Sequence, residues 1–192
     1  MIDTYSRAFV GVKLPQAAST ALAEIQMTLR KKVIADLRWN DPNQFVLTLC
    51  PLGDTVTIDK LAMLPGMIEP SIRGCGPITL TLEGLEGLPN NVQPRYVCMK
   101  LGGNIQRLTT LQGAIQRVTG QLTGPQECRG FQPHIVLGRL KKESEPERVA
   151  LGRGMRLMAA ATAGEFTMDS VSLIRNTAAD GVSYEVMKSI PL

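Results

Sequence analysis

Hydrophobic residues recur along the chain with two periods, one typical of strands and one typical of helices. Residues 78–82 alternate apolar and polar side chains at every step, which predicts a strand. Short β-prone runs bounded by proline, glycine or aspartate predict further strands. These further strands cover residues 7–14, 45–52, 95–101 and 134–140.

Apolar positions three and four residues apart predict the helices. The strongest such pattern covers residues 104–122, and a second helix is predicted at 15–33, with Pro15 at its start and basic residues in its last turn. A short helix at 57–64 is predicted to stop at Pro65 and Gly66. A fourth helix, near 147–161, is weakened by Gly152 and Gly154.

The last segments predict a hairpin, with strands at 166–175 and 183–190 joined through Ala179-Asp180-Gly181. Before it, the order strand, helix, strand occurs twice. The spacing from an arginine in the first strand to a fixed position in the second is equal in both copies, 46 − 7 = 39 and 134 − 95 = 39. We therefore predict an α+β fold in which two pseudo-symmetric lobes of antiparallel sheet, with outer helices, surround a central cleft. Residues 1–192 would form a single bilobal domain.

Composition excludes several classes of protein. The chain has 192 residues, 44% of them hydrophobic, which suffices for a core, and no apolar run approaches the ~20 residues of a membrane span. The first residues lack the layout of a signal peptide. The cysteines are scattered with no Cys-x-x-Cys pair, so we expect no metal, no cofactor and a cytoplasmic setting. They are Cys50, Cys75, Cys98 and Cys128.

Charge is distributed unequally along the chain. Residues 1–96 hold nine basic and nine acidic side chains, whereas residues 97–192 hold twelve basic and eight acidic. The net charge of +4 therefore belongs to the second half, 12 − 8 = 4. This asymmetry is compatible with a partner that carries phosphate, and equally with a solvated surface that is slightly rich in lysine and arginine.

The candidate chemistry centres on His134, which is the only histidine of the chain and follows Pro133 at the start of a predicted strand. Because side chains alternate along a strand, His134 and Val136 share one face, and Ile135 and Leu137 share the core-directed face. The same rule in the earlier strand puts Val46 and Thr48 on one face, with Leu47 and Leu49 behind them. If the halves face each other, the cleft is lined by Val46, Thr48, His134 and Val136.

Several short motifs, in this order and spacing, resemble the two-histidine phosphoesterase superfamily over residues 7–192. The nearest resemblance is to its bacterial RNA 2′,3′-cyclic phosphodiesterase branch, also called 2′-5′ RNA ligase. The motifs are Arg7-Ala8-Phe9-Val10-Gly11-Val12, Leu14-Pro15, Leu37-Arg38-Trp39, Leu47-Thr48-Leu49, Leu52-Gly53, Phe131-x-Pro133-His134-Ile135-x-Leu137-x-Arg139, Leu173-Ile174-Arg175, Gly181 and Tyr184-Glu185-Val186.

The resemblance implies a His-x-Thr-x motif in each half, with the histidines as general acid and base and the threonines holding phosphate oxygens. By position, Thr48 matches the first threonine and His134 the second histidine. Val46 stands in place of the first histidine, and Val136 in place of the second threonine. Arg139 is a candidate anion partner, although a position five residues past His134 falls outside the shared face of an ideal strand.

Valine neither titrates nor donates a hydrogen bond, so each lost proton carrier removes about a hundred- to ten-thousand-fold of rate. Three hypotheses follow. The preferred one is a monomeric module that binds nucleotide or RNA-end phosphate with impaired turnover. The others are a slow but genuine 2′,3′-cyclic phosphodiesterase that uses His134, and a non-catalytic pseudoenzyme that binds another protein.

Four further side chains have simpler expectations. Arg38 is expected to be solvated, and Trp39 is expected to pack rather than to stack on a base. Tyr96 and Tyr184 are the residues that we consider as substitutes for the missing histidine, with no sequence feature in favour of either.

Overall fold

The computed structural model describes residues 4–6, 8–53, 55–124, 130–178 and 181–192. The strands are β1 (Thr4–Ser6), β2 (Ala8–Lys13), β3 (Leu37–Trp39), β4 (Val46–Pro51), β5 (Thr55–Thr57), β6 (Ile78–Leu88), β7 (Tyr96–Gly103), β8 (His134–Leu140), β9 (Thr162–Met168), β10 (Ser170–Asn176) and β11 (Tyr184–Pro191). The helices are α1 (Gln16–Lys32), α2 (Ile58–Ile72), α3 (Ile105–Thr123) and α4 (Glu145–Arg156), with a 3-10 turn at Pro42–Gln44.

Two antiparallel sheets form the two lobes. One has four strands in the order β11-β10-β2-β4, the other has five in the order β3-β8-β7-β6-β9, and β1 pairs with β5 outside both. Helices α2 and α3 pack with the four-stranded sheet, and α1 and α4 with the five-stranded sheet. The predicted α+β fold with two pseudo-symmetric lobes is confirmed.

The two sheets repeat one arrangement of strands. The order β11-β10-β2-β4 matches β9-β6-β7-β8, and β3 is an addition at the edge of the second sheet. A helix lies between corresponding strands of each copy, α1 between β2 and β4 and α3 between β7 and β8. The strands that carry the two motifs, β4 and β8, are therefore structural counterparts.

Helix α2 is longer than its predicted 57–64. It runs from Ile58 to Ile72 and contains both Pro65 and Pro70, so the prediction that Pro65 ends the helix is wrong. An interior proline destabilises a helix by about 3 kcal/mol or more. In α2 the full burial of one helical face offsets that cost. The buried residues are Leu61, Leu64, Ile68 and Ile72.

Helix α4 also departs from its prediction, because it covers Glu145–Arg156 rather than 147–161. Its glycines are points of close packing. A Cβ on Gly154 would lie 2.5 Å from Cγ2 of Val33, and a Cβ on Gly152 would lie 3.1 Å from the carbonyl oxygen of Asn91. Because these two glycines have no side chain, the helix can lie close to the segments that carry Val33 and Asn91.

The predicted hairpin is correct only in part. Strands β10 and β11 pair as predicted, but residues 162–168 form a separate strand, β9, in the other sheet. The chain leaves one lobe at Met168 and enters the other at Ser170. Alternation alone cannot reveal this exchange, since both strands have the same period. The predicted turn residues Ala179 and Asp180 lie outside the described residues.

No described helix combines the length and the apolar character that crossing a bilayer requires.

Candidate functional site

The two motif strands come together where the lobes meet. Strand β4 is the edge of the four-stranded sheet, and it lies against β8 of the other sheet. Leu47, Leu49, Ile135 and Leu137 are all buried in the cores. Thr48 is exposed, and Val46, His134 and Val136 are half-buried. The burial of the motif side chains therefore follows the predicted alternation.

The ring of His134 is oriented by the chain just before it. Its Nδ1 lies 2.7 Å from the carbonyl oxygen of Gln132. A carbonyl oxygen only accepts, so Nδ1 carries the hydrogen and donates. In the neutral ring, Nε2 then holds the lone pair and can accept a proton, and in the charged ring Nε2 donates to an anion.

Each motif strand contains a β-bulge at the same place. In the β2–β4 pair, Gly11 opposes Thr48 and Val10 opposes Cys50, so Leu49 is the extra residue. In the β7–β8 pair, Cys98 opposes Val136 and Val97 opposes Gly138, so Leu137 is the extra residue. Both extra residues follow the third motif position directly, which extends the symmetry of the lobes to individual residues.

The bulge corrects the expectation for Arg139. An extra residue reverses the alternation beyond it, and Arg139 pairs with Tyr96, which lies on the same side of β7 as Cys98. Arg139 therefore projects from the face that carries His134 and Val136. Its guanidinium lies 5.5 Å from the ring centroid of Tyr96 and 3.5 Å from a carboxylate oxygen of Glu143.

A second arginine lies beside Arg139. Arg38 is directly opposite Arg139 in the β3–β8 pair, and the two line a pocket of about 300 Å³ with Leu140 and Lys141. This pocket is at the end of β8 remote from His134. It extends the face of the motif strand with positive charge.

The bulge in β8 is fixed by a buried polar network. The carbonyl oxygen of Leu137 accepts from the backbone nitrogen of Asn40 at 3.0 Å and from Nε2 of Gln26 at 2.9 Å. Asn40 also donates through Nδ2 to the carbonyl oxygen of Val136, at 3.0 Å. Gln26 is only 2% exposed, so its bond to Leu137 forms away from water. Together these bonds satisfy groups that the irregular ladder leaves unpaired.

Two lysines that the sequence analysis missed flank the first motif positions. Lys13 is directly opposite Val46 in the β2–β4 pair, and Lys100 is directly opposite His134 in the β7–β8 pair. Both are exposed. The signal in the sequence is a lysine 46 − 13 = 33 and 134 − 100 = 34 residues before the motif position. It becomes visible only when the strand pairing is known.

The same register revises the equal spacing of 39 residues. Lys13 and Lys100 are counterparts, 100 − 13 = 87 residues apart, whereas the motif positions are 134 − 46 = 88 apart. The counterpart of Arg95 is therefore Ala8. Arg7 lies outside the described residues. The two arginines are equally far from their motif positions only because the segment between the paired strands is one residue shorter in the first copy.

The aromatic candidates have packing roles. Trp39 packs against the core, with the guanidinium of Arg30 at 5.2 Å from its ring centroid, in agreement with its prediction. Tyr96 contacts Arg139, and Tyr184 packs edge-to-face on Phe9 with 5.1 Å between centroids. Neither tyrosine lies directly opposite Val46.

Among the described residues, no group of three or more His, Cys, Asp or Glu side chains could hold a metal ion. Cys50, Cys75 and Cys98 form no disulfide with one another. Burial, and secondarily the charge of Glu86, raises the pKa of the Cys98 thiol far above its usual range. Cys98 faces Val136 as a neutral, inert side chain.

Comparison with solved structures finds this fold in several proteins that are matched over nearly their whole length, among them the following three. TT0787 of Thermus thermophilus is 25% identical, with a TM-score of 0.78 and 97% of each chain covered. LigT of E. coli, complexed with 3′-AMP, is 21% identical, with a TM-score of 0.75 and 98% of each chain covered. Usb1 of Kluyveromyces marxianus is 12% identical, with a TM-score of 0.58, over 98% of this chain and 99% of Usb1. No protein-family profile and no curated protein sequence matches the chain.

Proposed function

The chain has the two-lobed fold of the two-histidine phosphoesterase superfamily, and from this premise we propose that it binds a nucleotide or RNA-end phosphate in its cleft with weak or no turnover. One observation carries the proposal. The two motif strands correspond residue by residue, including their bulges. Their motif positions nevertheless carry only one histidine and one threonine in total. The frame of a phosphoesterase site is kept while half of its chemistry is replaced by valine.

His134 and Thr48 are the proposed phosphate ligands at the centre of the site. With Nδ1 committed to the carbonyl of Gln132, His134 meets the phosphate through Nε2, and the hydroxyl of Thr48 donates to a second phosphate oxygen. Arg139 is the proposed anion partner farther along β8, because the bulge places it on the same face.

Hydrolysis of a 2′,3′-cyclic phosphate needs one group that takes a proton from water and another that returns a proton to the leaving ribose oxygen. His134 can perform one of these transfers. Val46 holds the position of the second carrier and can perform neither, and Val136 offers methyl groups where a hydroxyl would hold the phosphate. Binding then survives better than turnover.

Related structures support a ligand of this class. LigT of E. coli has been crystallised with 3′-AMP, phosphate, ATP and NADP+. These molecules share a phosphate group, which is also what His134 and Thr48 are suited to contact.

A direct test combines turnover with binding. The protein is incubated with 2′,3′-cyclic AMP and product is followed, and binding of 3′-AMP is measured by calorimetry, with His134→Ala and Thr48→Val as variants. We expect negligible turnover, together with binding that weakens about ten-fold or more in either variant.

The other outcomes separate the alternatives. Efficient turnover that His134→Ala abolishes would establish a genuine phosphodiesterase and overturn the proposal. Absence of both turnover and phosphate binding would leave a pseudoenzyme whose surface serves a protein partner. We also propose that the protein is cytoplasmic and monomeric. Among the described residues, Cys50, Cys75 and Cys98 form no disulfide with one another, which agrees with a reducing compartment.

A further inference from the structure

The two lysines that flank the motif strands are related by the same symmetry as the motifs. In both lobes, a lysine opposes the first motif position and a residue without a large side chain opposes the third. Lys13 and Gly11 have these places in one lobe, and Lys100 and Cys98 in the other. The repetition extends across two strand pairs whose motif residues have diverged, so it is a property of the site rather than of one strand.

We infer that Lys13 and Lys100 form a two-lysine anion clamp that makes the cleft selective for a terminal phosphomonoester over a cyclic or internal phosphodiester. The inference rests on the proposed function and assigns it a ligand class. A phosphomonoester carries nearly two negative charges at neutral pH, since its second pKa is about 6, whereas a diester carries one. Two added cations therefore favour the monoester.

The strand register brings both ammonium groups within reach of the phosphate. Directly opposed residues of an antiparallel pair have Cβ atoms about 4.5–5.5 Å apart. A phosphate held by Nε2 of His134 is thus beside Lys100. A phosphate held by Thr48 lies diagonally from Lys13, which is two residues beyond Gly11, the residue opposite Thr48. Lysine is a long, flexible point charge, which suits a ligand whose exact seat is set by other groups.

Both ammonium groups are available to a ligand. Among the described residues, neither Lys13 nor Lys100 makes a side-chain hydrogen bond or an ion pair, in contrast to Lys141, which lies 2.9 Å from Asp36. The negative side chains of this face begin on β6, where Glu83 folds over Gly102 and Glu86 opposes Cys98. They confine an anion to the region of the motif strands and disfavour a chain of phosphates that continues across β6.

The two valines reinforce the same selection. Val46 and Val136 remove a proton carrier and a hydroxyl, and they replace them with methyl groups between the polar ligands. Less water around the phosphate strengthens the attraction between each lysine and the anion. The site then holds a phosphate by charge, whereas a hydrolase would also take a proton from water and give one to the leaving ribose oxygen.

The test compares three adenosine ligands by calorimetry at pH 7.5: 3′-AMP, 2′,3′-cyclic AMP and unphosphorylated adenosine. The wild type should bind 3′-AMP about ten-fold or more tightly than the cyclic ligand. Lys13→Gln and Lys100→Gln should each weaken 3′-AMP binding about ten-fold and the cyclic ligand far less, which removes the preference in the double variant. Lys60→Gln, on the exposed face of α2, is the matched control and should change neither affinity.

Two further measurements make the outcomes distinct. At pH 5.5 the monoester loses most of its second charge, so its advantage in the wild type should shrink while that of the double variant stays absent. Circular dichroism of each variant verifies that it is folded. Equal binding of the two phosphates, unaffected by the lysine variants, would overturn the clamp and leave the proposed function in place. No binding of either phosphate would overturn both.

Discussion

The strand pairs β2–β4 and β7–β8 have the same backbone and different chemistry. Both are antiparallel, both contain an extra leucine after the third motif position, and both have a lysine opposite the first. One presents Val46 and Thr48, and the other presents His134 and Val136. The histidine of one strand and the threonine of the other thus lie at different motif positions.

The difference teaches which positions determine the fold. The residues that specify the ladder point into the cores, where Leu47, Leu49, Ile135 and Leu137 are at most 2% exposed. The motif residues point out of the core and carry little of its packing, so a change there alters chemistry at small cost to stability. Two lobes with one repeated frame and different motif residues are therefore the expected result.

The largest effect should come from making the two pairs chemically equal. Val46→His with Val136→Thr restores one proton carrier and one hydroxyl, and we expect hydrolysis of 2′,3′-cyclic AMP to rise at least about a hundred-fold. Product formation measured by chromatography checks this. Adding His134→Ala to this double variant should abolish the gain. A double variant that remains inactive would contradict the assignment of Val46 and Val136 to the missing catalytic positions.

A second prediction contrasts the residues opposite the third motif positions. A Cβ on Gly11 would lie 2.6 Å from the backbone oxygen of Leu47, so Gly11→Ala must displace the chain and should lower the free energy of unfolding by up to about 3 kcal/mol. Its counterpart Cys98 already has a Cβ, and Cys98→Ala should cost less. Urea denaturation of the two variants tests the contrast, which equal losses would contradict.

A third prediction concerns the network that fixes the bulge of β8. Gln26→Leu keeps the size of the side chain but withdraws the donor shared by the carbonyl oxygens of Leu137 and Asn40. We expect a loss of about 1–3 kcal/mol in the free energy of unfolding. Gln16→Leu, on the exposed start of the same helix, is the control and should be nearly neutral.

The smallest effect is the pH response of Cys98. Because burial raises the pKa of this thiol, the folded state keeps a proton that the unfolded state releases above about pH 8.5. The contribution of this thiol to the free energy of unfolding is therefore complete below that pH and declines as the pH rises above it. Iodoacetamide at pH 8 should modify half-exposed Cys75 well before Cys98, as read by peptide mass spectrometry. Equal rates would contradict the burial argument.

Much of the fold could be predicted because its signals are local. Alternation locates β6, and short β-prone runs bounded by turn residues locate β7 and β8. Periods of three to four residues locate α1 and α3. The end of α2 could not be predicted, since burial of its apolar face overrides Pro65, and neither could the separation of β9 from β10, which depends on the partner that each strand finds.

The candidate site, too, could be predicted only where its signals are local. The alternation along each motif strand follows from the sequence alone, whereas Arg139 could not be placed because no local signal marks the bulge at Leu137. Lys13 and Lys100 were missed for a related reason. Each lysine lies at the site because it pairs with a motif position more than thirty residues away along the chain. That pairing cannot be identified from the sequence before the strand register is known.

The passage of the chain from one sheet to the other at Asp169 has a consequence for synthesis on the ribosome. The four-stranded sheet needs β10 and β11, which are made after every strand of the five-stranded sheet. Until β10 and β11 have been synthesised, β2 and β4 can form only part of their sheet. The open edge of such a partial sheet is prone to wrong pairing. Because the last strand of the five-stranded sheet ends at Met168, we expect that sheet to form before the four-stranded sheet is complete.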